Sequence, residues 1–263
     1  MSITGGAPYR TPYLGDVYGG YIGLAGSWAN WKCGAATVSG QVDAQDAITN
    51  SRTYHHGIGY GAFWFMAGPG TDPGYDGTAQ EASAWGAAQA RQALADIKEL
   101  RPAVTYPVVF EDVELPGAAP QFTPAPDNGW KAVYTSPCTG VVKTRHIGAA
   151  LDRADFDGFA TYLTEHSSYQ AGVYSSPRVW RSIFGTGAAS RIPATYEWTY
   201  AAGTSSLDRR PDGWCLRGTK SCAQFFGGQT ASGKYALIWQ WSGGGATRNG
   251  YGDFDQIDVS RTP

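Results

Sequence analysis

The chain reads as an α/β fold, an irregular (β/α) TIM-like barrel built as a single domain. Three observations carry that reading. Short apolar, aromatic-rich runs of strand length recur along the chain, stretches with helical spacing lie between them, and the length of 263 residues is near the ~250 that such barrels take. No internal repeat, linker or shift in composition divides the chain. With 42% hydrophobic and 14% aromatic residues there is apolar area for a large core, which excludes a disordered chain.

The elements follow in order. Residues 20–24 form the first strand run, and 43–56 give a weak helical pattern. Residues 58–67 form the second strand. Residues 79–100 are the clearest helix: Ala87, Ala90, Leu94 and Ile97 make an apolar stripe, and Pro102 stops it. The strand at 106–114 comes next. Residues 115–148 then break the rhythm, rich in Pro, Gly and Thr. A connection of that length is uncommon unless functional, so it either covers the barrel mouth or is a surface excursion pinned by Cys138. A weaker helix at 155–166 and strands at 169–175, 196–201 and 236–241 complete the alternation. Barrels of this kind carry their chemistry at the C-terminal ends of the strands.

Several classes of function are excluded or left without support. A formal charge of −2 and the absence of a Lys/Arg run give no footprint for nucleic acid. No window approaches the ~18 apolar residues of a membrane helix. There is no Gly-x-Ser-x-Gly elbow, and Gly243-Gly244-Gly245 lacks the Lys-Ser/Thr of a phosphate loop. His55 and His56 read as surface residues, and His146 and His166 have no acid or Cys at ligand spacing, so neither metal nor cofactor is expected. Cys33, Cys138, Cys215 and Cys222 show no Cys-x-x-Cys pair. Cys215 and Cys222 bracket a short polar loop and are expected to form a disulfide, with Cys33 and Cys138 following by elimination. The alternative is four thiols in a reducing compartment. The N-terminal residues carry neither a basic nor an apolar leader segment, so export by a removed signal or release by phage lysis are the two routes to an oxidising destination.

The strand Tyr106-Pro107-Val108-Val109-Phe110-Glu111-Asp112-Val113-Glu114 is apolar until three acids arrive within four residues. Side chains alternate along a strand, so Asp112 and Glu114 share one face while Glu111 points oppositely. At ~3.3 Å per residue the Cα atoms of the pair stand roughly 7 Å apart. Carboxylates so placed repel, and one of them holds a proton more readily. Cleavage of a glycosidic bond needs that asymmetry: one acid to protonate the leaving oxygen, one anion to meet developing positive charge. The bland alternatives are a solvated strand end or a cation site. A second acid cluster, Asp253, Asp255 and Asp258, follows the run Ile238-Trp239-Gln240-Trp241 and could supply a third carboxylate to the same mouth, or only cap a turn.

The order Val-Val-Phe-Glu-Asp-Val-Glu, then Ala171 to Ser176 (Ala-Gly-Val-Tyr-Ser-Ser), then Leu237 to Ser242 (Leu-Ile-Trp-Gln-Trp-Ser), then Gly252 to Asp255 (Gly-Asp-Phe-Asp) resembles the glycoside hydrolase family 25 lysozymes. It equally resembles a related glycoside-hydrolase-like domain of actinobacterial proteins. The likeness spans about residues 58–260. It implies an irregular eight-stranded barrel with fewer helices and hydrolysis of the bond after N-acetylmuramic acid in peptidoglycan. It further implies Glu114 as general acid, Asp112 as the group that orients the N-acetyl substituent or stabilises charge, and Asp253 as a supporting acid.

Two motifs depart from the family. Its third-strand Tyr-His-Phe is Phe63-Trp64-Phe65 here, and its closing Asp-x-Asn is Asp-x-Asp. The family's first-strand acid has only Asp16 as a counterpart, with too few residues before the strand at 20–24 for a full crossover. Tyr174, Trp198, Trp239 and Trp241 are candidates to stack on sugar rings, though barrel interiors also consume aromatics. The expected partner is therefore a cell-wall polysaccharide, met outside the cell. The rival readings are a noncatalytic glycan-binding module and a phage tail component on the same scaffold.

Overall fold

The computed structural model describes residues 17–24, 59–72, 75–100, 108–114, 129–130, 133–135, 142–144, 147–185, 196–200, 238–247 and 250–257. The four cysteines, Asp16 and the helix expected at 43–56 lie outside them. Nine strands and three α-helices are present among the described residues: β1 Val17–Leu24, β2 Gly59–Phe65, α1 Ala79–Leu100, β3 Val108–Asp112, β4 Val133–Thr135, β5 Val142–Thr144, α2 Ala149–His166, β6 Gln170–Ser175, α3 Pro177–Phe184, β7 Tyr196–Tyr200, β8 Ile238–Thr247 and β9 Gly250–Ile257. Seven strands form one sheet in the order β1-β2-β3-β6-β7-β8-β9. The first six run parallel and β9 returns antiparallel to β8. The architecture is thus mixed α/β around a mainly parallel sheet. β1 and β9 are its two edges, and no pairing joins them among the described residues.

Strand alternation sorts the core into two layers. Phe63, Val108, Phe110, Tyr196, Trp198 and Ile238 pack together on one face of the sheet, with Tyr174 against them. We call this the inner face. Trp64, Val109, Val113, Ala171 and Val173 point the other way and meet the helices through Ala90, Ala93, Ile97, Phe156, Phe159, Leu163, Trp180 and Ile183. A parallel sheet must be covered on both faces, which is why its strands read as nearly continuous apolar runs. On the inner face Gly172 leaves the space that the Phe110 ring fills: a Cβ there would come within 2.6 Å of it.

The helices partly revise the sequence reading. The buried side of α1 is Ala82, Gly86, Gln89, Ala90, Ala93 and Ile97, while Ala87 and Leu94 of the expected stripe are only half-buried. The stripe is rotated because Gly86 and Gln89 carry no apolar signal yet make the closest contacts. Gln89 accepts from the Ala67 amide at 2.9 Å and from Trp64 Nε1 at 3.4 Å. It donates to the Ala67 carbonyl at 2.9 Å and to Asp155 at 3.3 Å, which ties the end of β2 to both long helices. Helix α2 begins at Ala149, six residues before the expected start at Asp155. Helix α3 was not anticipated, although Ser176 caps it by accepting from the Val179 amide at 3.2 Å and Pro177 sits in its first turn. Gly185, at φ 80°, ends it.

The stretch at 115–148 is not a featureless loop: it contains the antiparallel pair β4–β5. It is also anchored. Gly129 accepts from the Gly70 amide at 3.2 Å, and Trp130 is buried on the helical side with its ring 5.8 Å from that of Phe184. Gly129, at φ 83°, lies so close to Gly68 that a Cβ on either would overlap the other's backbone.

Candidate active site

The site is built at the C-terminal end of the parallel strands, beginning with β3. Val113 and Val109 belong to the helix-side core, whereas Phe110 belongs to the inner one. Alternation therefore sets Asp112 on the inner side and Glu111 against the helices, and Glu114, two residues past the end of β3, stands at the parity of Asp112. The ladder continues one residue past the strand: the Val113 amide donates to the Tyr174 carbonyl at 2.9 Å, and Ser175 Oγ donates to the Val113 carbonyl at 2.8 Å. These two bonds hold the backbone between the acids. Asp112 is 7% exposed and Glu114 half-buried, so the pair stands where the core gives way to solvent.

Register assigns the neighbours. Asp112 is level with Tyr174, Tyr174 with Trp198, and Trp198 with Ile238. The Trp198 ring lies 4.9 Å from Tyr174, 5.6 Å from Phe110 and 5.9 Å from Phe63, edge to face in each case. Trp198 is thereby placed in the inner core, at 5% exposure, where it backs the Tyr174 ring. Tyr174 donates its hydroxyl hydrogen bond to Gln240 Oε1, reaching across β7. Gln240 lies between the two tryptophans singled out in the sequence and was passed over. Its signal was parity: it shares the face of Ile238. Trp239 and Trp241 are in β8, with a slip in the β8–β9 ladder at Trp241, but their side chains lie outside the described set. Asp253 is in β9, two residues before Asp255, which is level with Gln240; the side chains of both acids likewise lie outside that set.

On the other side of the sheet Glu111 is fully buried, and neither of its carboxylate oxygens makes a hydrogen bond among the described residues. Burial first, then the charges of Asp157 and Asp155 on α2, push its carboxyl well above the usual range. Asp155 is raised in the same direction by its own burial and by Asp152 and Asp72. The protonated form of Glu111 is thereby favoured. Its folded-state value exceeds the unfolded value near 4.5, so the folded chain holds a proton the unfolded chain has released. The resulting stability is fully present below the unfolded value and is lost as pH rises toward the folded one. Glu111→Gln, which keeps the shape without the titration, is expected to gain stability over the parent as pH goes from 5 to 8. Urea midpoints at the two pH values check this, and a difference independent of pH would contradict it.

A mainly parallel sheet flanked by helices, with carboxylates where β3 ends and aromatic side chains beside them, defines a mixed α/β fold with an acidic site at the C-terminal ends of its strands. Solved structures show what this fold is similar to. The spore cortex lytic enzyme SleM of Clostridium perfringens is similar at 13% identity with a TM-score of 0.54, over 94% of this chain and 62% of that one. Two further structures are a bacterial lysozyme from Streptomyces coelicolor (14% identity, TM-score 0.48, 94% and 82% covered) and a family GH25 lysozyme from Aspergillus fumigatus (16%, 0.46, 92% and 81%). At 13% identity the likeness to SleM is one of fold. No protein-family model and no curated protein sequence matches the chain.

Proposed function

We propose that the chain is a cell-wall glycoside hydrolase that cleaves peptidoglycan glycan strands in the manner of a muramidase. The observation that carries this is Asp112 at the end of β3, level with Tyr174 and its bond to Gln240, with Glu114 two residues on at the same parity. The fold shared with a spore cortex lytic enzyme supports it, and the motif order supports it independently. In this reading Glu114 is the general acid that protonates the glycosidic oxygen as the bond breaks. Asp112, more deeply set, orients the N-acetyl group or faces the positive charge that develops on the sugar. Asp253 on the closing hairpin is the supporting acid. Tyr174 borders the bound sugar, with Trp239 and Trp241 as further stacking residues. The sheet is the wall of an irregular β/α barrel whose mouth receives the polysaccharide, outside the cell, whether delivered by a phage or by secretion.

Turbidity of purified cell walls tests this activity. Clearing with release of new reducing ends is expected. Co-sedimentation with walls and no released ends would turn the reading to a noncatalytic glycan binder.

A further inference from the structure

Tyr200 ends β7 and is 36% exposed, the one large apolar side chain that is exposed among the described residues. A single exposed ring is ordinary in itself; its place in the sheet is not. Tyr196 and Trp198, four and two residues earlier, pack into the inner core, while Glu197 and Thr199, which alternate with them, are fully buried on the opposite face. Alternation therefore sends the Tyr200 ring to the inner side, above Trp198. Tyr200 is level with Gln240, and Gln240 with Asp255. The row below holds Asp112, Tyr174, Trp198 and Ile238, so counting two residues on from Asp112, past the end of β3, brings Glu114 toward the level of Tyr200. The open ring, the proposed general acid and the amide that holds the Tyr174 hydroxyl thus share the rim of one face.

We propose that Tyr200, with Trp198 as its buried support, is the aromatic platform on which a sugar ring of the substrate stacks. The assignment rests on the hydrolase reading above and adds a specificity-determining residue to it. An aromatic ring at the rim gives up water-exposed apolar area to the flat face of a pyranose without displacing any core contact. Trp198 cannot do so, because three rings already surround it. The Tyr174 and Gln240 pair, held one strand to either side, would meet the polar edge of the same sugar.

The test uses soluble peptidoglycan glycan strands freed of their stem peptides. Removing a ring that loses its water on binding costs about 1.5 kcal/mol or more, which corresponds to roughly 10-fold in affinity. Tyr200→Ala is expected to raise KM by about that factor, with a much smaller change in kcat, and Tyr200→Phe or Tyr200→Trp to restore the affinity. The same substitutions, made in a Glu114→Gln background and read as Kd, measure stacking apart from turnover. An unchanged KM and Kd in Tyr200→Ala, or a loss confined to kcat, would overturn the platform while leaving the hydrolase intact. If the parent binds strands without cleaving them, the hydrolase reading fails and the Kd ratio alone decides Tyr200. If it neither binds nor cleaves, both fail.

Discussion

Glu114→Gln is expected to lower wall cleavage to the upper end of the ~10²- to 10⁴-fold range typical of general acid catalysis, or beyond it, while leaving the fold and glycan binding in place. A sugar oxygen is a poor leaving group unless it is protonated as the bond breaks. Gln keeps the size and hydrogen-bonding capacity of Glu but has no proton to give. Asp112→Asn should cost less, since orientation and charge stabilisation degrade gradually when the amide can still accept a hydrogen bond. Glu111→Gln should leave the rate close to the parent's, because that side chain is buried against α2 on the far face of the sheet. The rate ordering on purified walls, with melting temperatures as the control for folding, separates the three. A greater loss from Glu111→Gln than from Glu114→Gln would mean that the face assigned to the site is the wrong one.

The second large effect concerns stability. Gly86→Ala is expected to destabilise the protein by roughly 2–3 kcal/mol, within the range for overpacking. A Cβ on Gly86 would stand 1.9 Å from the Asp155 carbonyl oxygen and 2.8 Å from the Phe159 nitrogen. Both are backbone atoms of α2, so relief requires the two helices to move apart. The gain of ~0.5–1 kcal/mol that Ala brings to a helix interior offsets only part of that cost. Gly158→Ala should behave alike, since its Cβ would meet the Ser83 carbonyl at 2.2 Å from the other side of the same crossing. For a domain of this size the loss corresponds to a fall in Tm of about 4–12 °C. A Tm at or above the parent's would contradict the close helix crossing.

What could be read from the sequence depended on whether the signal was local. Helix α1 announces itself by periodicity, and the parity of Glu111, Asp112 and Glu114 follows from one strand. The early start of α2 was missed because Gly148 offers no side-chain cap and its first residues give no strong stripe. The β4–β5 pair was hidden in a Pro- and Gly-rich composition that reads as loop. Gly86 against Gly158 is a property of two helices together, and neither helix alone shows it. The site divided in the same way. Asp112 and Glu114 lie two residues apart in one segment, whereas Gln240 and Tyr200 join them only through the register of four parallel strands. Trp198 is a candidate by composition alone, yet it is buried in the inner core, and the exposed ring of that strand is Tyr200 at its end.

The most direct test of the central claim is mass analysis of what the purified protein releases from isolated cell walls. Soluble glycan fragments with new reducing ends at muramic acid are expected, and they should disappear in Glu114→Gln. Walls that stay intact while the protein sediments with them, or release that persists undiminished in Glu114→Gln, would contradict it.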